Sequence, residues 1–298
     1  MIRADGGITV DTAGQVLAID TLGRKTAVFR TEGADQIRAA LMDGAGCVPA
    51  SAEGRGTLMR FPYLDGHALI RKYRRGGAIR FLLKDRYLLH NRPLREFRLH
   101  LYVYDKGLSV PKPLGACWER RGICFAGAIA TLEINAVNLL QYLRMAGSGS
   151  CSTGCPARSR GSAPLPSEEQ TQTPAGLVEL TRAPLPSEEE TLRECGALIR
   201  QMHEIGVFHS DLQVRNILVG ADGPLLIDFD KARLHHSLGP WRRARNLLRF
   251  RRSFRKCGLS EVLFQQLCEG YGTLDVPPLL DRFYHVKGRL SDALSGRD

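Results

Sequence analysis

Two short apolar runs with a tight turn between them place the strongest constraint on this chain. Asn216-Ile-Leu-Val219 and Pro224-Leu-Leu-Ile-Asp228 flank Gly220-Ala-Asp-Gly223. That pattern predicts a β-hairpin, because small and acidic residues accept the backbone angles a tight turn needs. Asn216 and Asp228 both lie six residues from Asp222, so the hairpin brings these two polar side chains together at its open end. Asp211 sits in the loop just before the first strand. Three oxygen-bearing side chains thus converge at one mouth. Hard cations such as Mg2+ take oxygen ligands of this kind, completed by water and substrate phosphates.

Phosphoryl transfer uses these parts. Metal ions neutralise charge developing on the phosphates, and a carboxylate accepts the proton of the attacking hydroxyl. Asp211 suits the base role, and Asn216 and Asp228 suit the metal. His209 is expected to brace the loop rather than act as an acid or base, and Phe229 to pack beneath the aspartate. The spacing His209-Ser-Asp211-Leu-Gln-Val-Arg-Asn216, then Asp228-Phe-Asp230, resembles the catalytic-loop and metal-loop signature of kinases. An ordinary hairpin with polar ends is the alternative.

Upstream residues suggest a nucleotide side. Gly54-Arg55-Gly56-Thr57 resembles a shortened glycine-rich loop whose amides approach phosphates closely. It leads into Leu58–Tyr63, Asp65-Gly66 marks a hairpin turn, and Ala68-Leu-Ile-Arg71 begins the return strand. In that strand Arg71 is in register for a phosphate-binding cation, with Lys72 next. Strand alternation puts the two on opposite faces, so only one of them points inward. Leu94–Lys106 suits a helix ending at Gly107. Glu96, early in that helix, is the candidate ion-pair partner for the strand cation; a solvated helix charge is its plainer reading.

Strands first and helices later predict an α+β fold. The reading is a bilobal, protein-kinase-like chain, with a β-rich N-lobe over 1–133 and an α-rich C-lobe over 134–298. Within the second part, residues 146–186 are rich in small and polar residues and read as a flexible insertion. A duplication begins within them, since Ala163-Pro-Leu-Pro-Ser-Glu-Glu169 recurs as Ala183-Pro-Leu-Pro-Ser-Glu-Glu189. Only the second copy continues into a helix: Ser187 with Glu190 forms a capping box, and Leu192, Cys195, Leu198, Ile199, Met202 and Ile205 follow at helical spacing.

Seven collinear blocks resemble the lipopolysaccharide kinase family. They are Gly54-Arg-Gly-Thr57, Arg71-Lys-Tyr-Arg-Arg-Gly-Gly77, Lys84-Asp-Arg-Tyr87, Arg95-Glu-Phe-Arg98, Gly107-Leu-Ser-Val-Pro-Lys-Pro113, His209-Ser-Asp-Leu212 and Leu226-Ile-Asp-Phe-Asp-Lys231. The resemblance implies an enzyme of a Gram-negative bacterium that uses ATP and Mg2+. It would phosphorylate the 4-hydroxyl of 3-deoxy-D-manno-octulosonic acid (Kdo) in a lipid A–Kdo acceptor, at the cytoplasmic face of the inner membrane. It also implies that Arg71 is the family's own choice at its position. The insertion departs from the family by its length.

Charge fits an anionic partner. The chain carries a formal charge of +11, which favours nucleic acid, acidic headgroups or phosphorylated sugars. Trp241–Lys256 holds eight basic residues in sixteen, interleaved with Trp241, Leu247, Leu248, Phe250 and Phe254. Arg242, Arg243, Arg245 and Arg249 are the candidate patch for an anionic membrane surface or for lipid A phosphates. A helix that packs its apolar stripe and merely solvates its arginines is the alternative. No zinc finger, RNA-recognition signature or helix-turn-helix supports a nucleic-acid module beyond the charge, so no nucleic-acid partner is expected. Met1-Ile-Arg-Ala-Asp-Gly-Gly lacks the apolar core of a secretory signal, and the eight scattered cysteines read as reduced thiols. Rival enzymes are a small-molecule phosphotransferase of the aminoglycoside or choline kinase type and an atypical protein kinase. The short span from Asp230 to Pro240 leaves no room for a long activation segment.

Overall fold

Alternating apolar residues and two-residue turns build the first part of the chain into one antiparallel sheet. The computed structural model describes residues 8–10, 16–50, 58–73, 91–121, 124–149 and 187–272. Strands β1 (Ile8–Val10), β2 (Val16–Leu22) and β3 (Lys25–Arg30) precede helix α1 (Ala34–Met42). Then come β4 (Val48–Pro49), β5 (Leu58–Tyr63), β6 (Gly66–Lys72), helix α2 (Arg92–Asp105), β7 (Pro113–Arg121) and β8 (Cys124–Leu132). The eight strands lie in the order β1-β2-β3-β7-β8-β6-β5-β4. The β5–β6 turn is one residue earlier than its Asp-Gly pair suggests: Tyr63 pairs with Gly66, leaving Leu64-Asp65 as the loop. Leu64 there takes a φ of 49°.

The pleat sends alternate residues of each strand to opposite faces, and a helix covers each face. Ala27 and Phe29 of β3, with Phe61 and Ile70, bury against Ile37 and Leu41 of α1. Val28, Ala116 and Ile129 bury against Phe97 and Leu101 of α2. Burying a Phe or Leu side chain is worth about 1.5–3 kcal/mol, so Phe97 and Leu101 hold α2 firmly on its face. The N-terminus of α2 is fixed locally as well. Asn91 caps it by accepting from the Leu94 N–H at 3.2 Å, and Pro93 fills the first turn. Gly127 of β8 lets this turn sit close, because a Cβ there would lie 2.7 Å from Pro93 Cγ and 2.2 Å from the Cys117 carbonyl oxygen.

The later part is helical with short strands. Strand β9 (Ala136–Asn138) runs into helix α3 (Leu139–Gly149). The last turn of α3 thus occupies the first four positions of the segment read as an insertion, and the rest of it, 150–186, lies outside the described residues. Helix α4 (Glu188–Glu204) begins where the second copy of the duplication predicts it, with Ser187 Oγ accepting from the Glu190 N–H at 3.2 Å. Next come β10 (Val207–Phe208), a 3-10 turn at Val214–Asn216, β11 (Ile217–Gly220), β12 (Gly223–Leu226) and β13 (Arg233–Leu234). Helices α5 (Pro240–Lys256) and α6 (Glu261–Tyr271) end the described chain. Strands β12, β11 and β9 form a second sheet in that order. The fold is α+β, as the order of elements predicts.

Two compact units result: residues 1–134, 201–211 and 226–246, and residues 135–200, 212–225 and 247–298. The second is held by Tyr142 Oη and Thr191 Oγ1, 3.0 Å apart and buried, and by the edge-on rings of Phe250, Phe254 and Phe264. Helices α4 and α6 cross there in backbone contact. A Cβ on Gly196 would sit 2.0 Å from the Leu267 carbonyl oxygen, and one on Gly270 1.9 Å from that of Arg193.

Candidate active site

Strand alternation decides which cation turns inward. Ile70 points to the α1 face, so Arg71 points to the α2 face beside its cross-strand neighbour Ile129. Arg71 pairs there with the buried Glu96 of α2 through Nη2, while Lys72 is exposed. The other arm of the same guanidinium, Nη1, lies 3.3 Å from Asp228 Oδ1. Tyr73 completes the cluster: its hydroxyl donates to Glu96, and its ring stacks under Arg71 and Arg92 at 5.1 and 5.6 Å. One planar fork therefore ties strand, helix and the Asp228 loop together, geometry that a lysine ammonium cannot reproduce.

The charges shape one another. Burial pushes Glu96 up to about 7, although Arg71 and the Tyr73 hydroxyl pull it back toward the carboxylate. Burial also works against the charge on Arg71, but Glu96 and Asp228 more than offset it and hold that guanidinium firmly protonated.

Asp228 stands in the left-handed region at φ 66°. A short polar side chain tolerates that region best among non-glycine residues, and such backbone concentrates at functional sites. The side chain is 35% exposed. The next residue, Phe229, turns the other way and is fully buried, with its ring centroid 5.4 Å from both His100 and His209. Asp230 is gripped from α2: Arg92 meets its carboxylate with both Nε and Nη2, and Arg95 Nη2 donates to its carbonyl at 3.0 Å.

His209 holds the neighbouring loop. It is fully buried, and burial keeps its imidazole below the ordinary histidine range. Nδ1 lies 3.2 Å from the Asp211 N–H, which donates to it; Nε2 therefore carries the ring proton and donates to the Ile227 carbonyl at 3.2 Å. A single neutral ring thus links the Asp211 loop to the residue preceding Asp228. The Asp211 side chain is 39% exposed, with Lys231 Nζ 3.9 Å from its Oδ2. In the second unit, Asn216 ends the 3-10 turn ahead of β11 and is buried.

Gly54, Arg55, Gly56 and Thr57 lie outside the described residues. The basic helix α5 divides its candidate residues. Arg242, Arg245 and Arg249 are exposed at helical spacing along one face. Arg243 departs from the expected patch: it is half-buried, and its Nε donates to the Leu238 carbonyl at 2.8 Å. Leu247, Leu248, Phe250 and Phe254 are buried within the protein, leaving Trp241, 53% exposed, as the outward aromatic. No described helix is long and apolar enough to cross a membrane. The grip of Arg92 and Arg95 on Asp230, the Tyr73–Glu96 bond and the buried Asn246 beneath His209 were not read from sequence. None lies at a local spacing that announces it.

Asp211 and Asp228, both partly exposed, thus stand on segments joined through the His209 ring, and Asp228 lies against the Arg71 guanidinium. Comparison with known proteins gives the family. The profile of the lipopolysaccharide kinase (Kdo/WaaP) family matches residues 39–146 and 181–271. A 3-deoxy-D-manno-octulosonic acid kinase of Xylella fastidiosa (strain M12) is 32% identical over 213 residues, 70% of each chain. That of Vibrio parahaemolyticus serotype O3:K6 (strain RIMD 2210633) is 31% identical over 242 residues, 77% of this chain and 84% of its own. The solved structure of WaaP in complex with acyl carrier protein aligns at a TM-score of 0.48 and 15% identity, covering 88% of this chain and 92% of that one. The chain belongs to the lipopolysaccharide kinase (Kdo/WaaP) family. It is a kinase.

Proposed function

We propose that this kinase transfers the γ-phosphoryl group of ATP to the 4-hydroxyl of Kdo in a lipid A–Kdo acceptor. The acceptor assignment rests on the relatives named Kdo kinase, which match about 70% or more of this chain. The observation that carries the chemistry is the coupling, through the His209 ring, of the two backbone segments that bear the partly exposed carboxylates Asp211 and Asp228.

Asp211 acts as the base that takes the proton of the attacking hydroxyl. Its backbone N–H is tethered to His209 Nδ1, which orients the carboxylate without drawing on its oxygens. A positioned base of this kind contributes about 10²–10⁴-fold. Arg71 faces the nucleotide phosphates, its guanidinium already fixed by Glu96 and Asp228. Asp228 and Asn216 offer a carboxylate and an amide oxygen, donors that suit Mg2+ rather than a thiophilic ion. When bound, the metal would neutralise charge on the phosphates.

The exposed face of α5, with Arg242, Arg245 and Arg249, would rest on anionic headgroups at the cytoplasmic face of the inner membrane. Leu247, Leu248, Phe250 and Phe254 are committed to the protein interior while Trp241 faces outward, so this contact is mainly electrostatic and salt-sensitive.

The acceptor is tested by offering purified protein Mg-ATP with Kdo-lipid A, and separately with soluble amino sugars and choline. Phosphate on Kdo-lipid A alone supports the reading. Robust transfer to a soluble amine with none to Kdo-lipid A would overturn it.

A further inference from the structure

We infer that Arg242 and Arg245 form a subsite for a phosphomonoester carried by the lipid part of the acceptor. The inference rests on the reading of this chain as a kinase of a lipid-linked sugar, and it gives two residues of the α5 face a ligand more specific than a bulk headgroup. Both side chains are exposed and lie three residues apart, hence on one face of the helix. Each is held in place by an uncharged ring. Arg242 Nη1 donates to His235 Nδ1 at 3.0 Å, and Arg245 lies over the Phe208 ring with Cζ 5.8 Å from its centroid. Partial burial first, and then the charges of Arg242 and Arg233, keep His235 below the ordinary histidine range. Near neutral pH its ring is therefore uncharged and can accept from Arg242. Arg71 and Arg92 differ, since carboxylates orient and neutralise them together. Neither Arg242 nor Arg245 meets a carboxylate among the described residues. Residues 231–260 hold ten Lys and Arg and no Asp or Glu, so nothing local offsets their charge. The forks are oriented while the charge stays uncompensated, which suits a bidentate hold on a phosphate. The start of a helix disfavours cations, and α5 has no acidic residue in its first turn. A bound anion removes that conflict.

Position selects the occupant. Phe208 ends β10, and Asp211 follows three residues later, which holds their Cα atoms within about 11 Å of each other. Strand β10 pairs with β13, Phe208 opposite Arg233 and Val207 opposite Leu234. A group bound at Arg245 therefore sits beside the loop that carries the base, within reach of another part of the same acceptor. Two outward apolar side chains flank the pair in sequence: Trp241 precedes Arg242, and the half-exposed Leu234 precedes His235. Cationic and apolar surface side by side suit a phosphate borne on acyl chains rather than a free anion. A monoester carries about 1.5–2 negative charges near pH 7 and three terminal oxygens, more than the diester of an ordinary headgroup offers to two guanidinium forks.

The test follows transfer to Kdo-lipid A in micelles of a neutral detergent, with the full chain as wild type, Arg242→Gln, Arg245→Gln and the double variant. Arg24→Gln, which removes an exposed charge from the β2–β3 turn, is the control. Each single variant is expected to raise KM for the acceptor about three- to tenfold, and the double about ten- to a hundredfold, as loss of charge-assisted hydrogen bonds does. Turnover and KM for ATP should stay within about twofold, and Arg24→Gln should match wild type. Kdo-lipid A stripped of its lipid A phosphates should raise the wild-type KM as much as the double variant does, with little further loss when the two are combined. Wild-type KM in the double variant, or fully additive losses, would overturn the proposal. So would a loss seen in anionic vesicles and absent in neutral micelles, which would assign the arginines to headgroups. Binding without ATP is read on neutral micelles carrying phosphatidic acid, a monoester, or phosphatidylglycerol, a diester. A preference for phosphatidic acid, lost in the double variant, is expected. If the wild-type chain transfers nothing to Kdo-lipid A, the acceptor assignment fails and this binding arm decides the subsite. No preference for the monoester, or a preference that the double variant keeps, would overturn it.

Discussion

Arg71 Nη1 lies 3.3 Å from Asp228 Oδ1 while its Nη2 is held by Glu96. A strand residue thereby sets the position of a carboxylate far away in sequence, and the link needs both arms of the guanidinium. Arg71→Lys keeps the charge and loses the fork. Losing one charge-assisted hydrogen bond is worth about 1.5–3 kcal/mol, so kcat/KM for ATP should fall about ten- to a hundredfold. Steady-state kinetics at varied ATP checks this; wild-type kcat/KM in the variant would show that the second arm is dispensable.

The parts of this arrangement legible in the sequence are those with a local signature. Glycines and Asp222 place the β11–β12 connection, Ser187 starts α4, and the Ile70/Arg71 alternation fixes which side chain can face inward. Asn91 and Pro93 start α2 two residues earlier than the apolar pattern of Leu94 onward suggests, because a cap and a first-turn proline carry no periodicity. Contacts between remote segments leave no such trace. Asp230 is one residue beyond Phe229, yet nothing at that spacing shows that Arg92 and Arg95 hold it. The basic composition of α5 hid the one buried amide in its middle, Asn246.

Acid should destabilise the fold through histidines buried without charge. Burial lowers both His100 and His203 to about 4, against about 6.5 in the unfolded chain. Depressed values mean their contribution is complete above about pH 6.5 and is lost as pH falls toward 4. Glu96, pushed up to about 7, has the opposite sign, its contribution being present at low pH and lost as pH rises through 7. Two groups oppose one, so the melting temperature should fall on acidification from about pH 7 to 4.5. His203→Gln keeps a donor toward Asn246 without a titration and should flatten that slope. Equal slopes in variant and wild type would contradict the assignment.

The crossing of α4 and α6 tolerates no side chain at Gly196 or Gly270. Gly196→Ala and Gly270→Ala should each cost about 1–3 kcal/mol by overpacking. Both force the same separation of the helices, so the double variant should lose clearly less than the sum. Denaturant unfolding of the two singles and the double checks this, and strict additivity would contradict a shared backbone contact.

The exposed face of α5 and its half-buried neighbour should behave differently. Changing Arg242, Arg245 and Arg249 to Gln together should weaken binding to vesicles rich in anionic lipid by about 1 kcal/mol per residue. Arg243→Gln should change it little, because that guanidinium is turned toward the Leu238 carbonyl. Co-sedimentation at low and high salt reads both, and undiminished binding of the triple variant would remove this face from membrane contact.

The central claim is phosphoryl transfer to Kdo with Asp211 as the base. Kdo-lipid A is incubated with Mg-ATP and either the wild-type chain or Asp211→Asn, and the mass of the lipid is followed with time. The account predicts one added phosphate with the wild-type chain and a rate lower by about 10²–10⁴-fold with the variant. No added phosphate with wild type, or equal rates for the two, would contradict it.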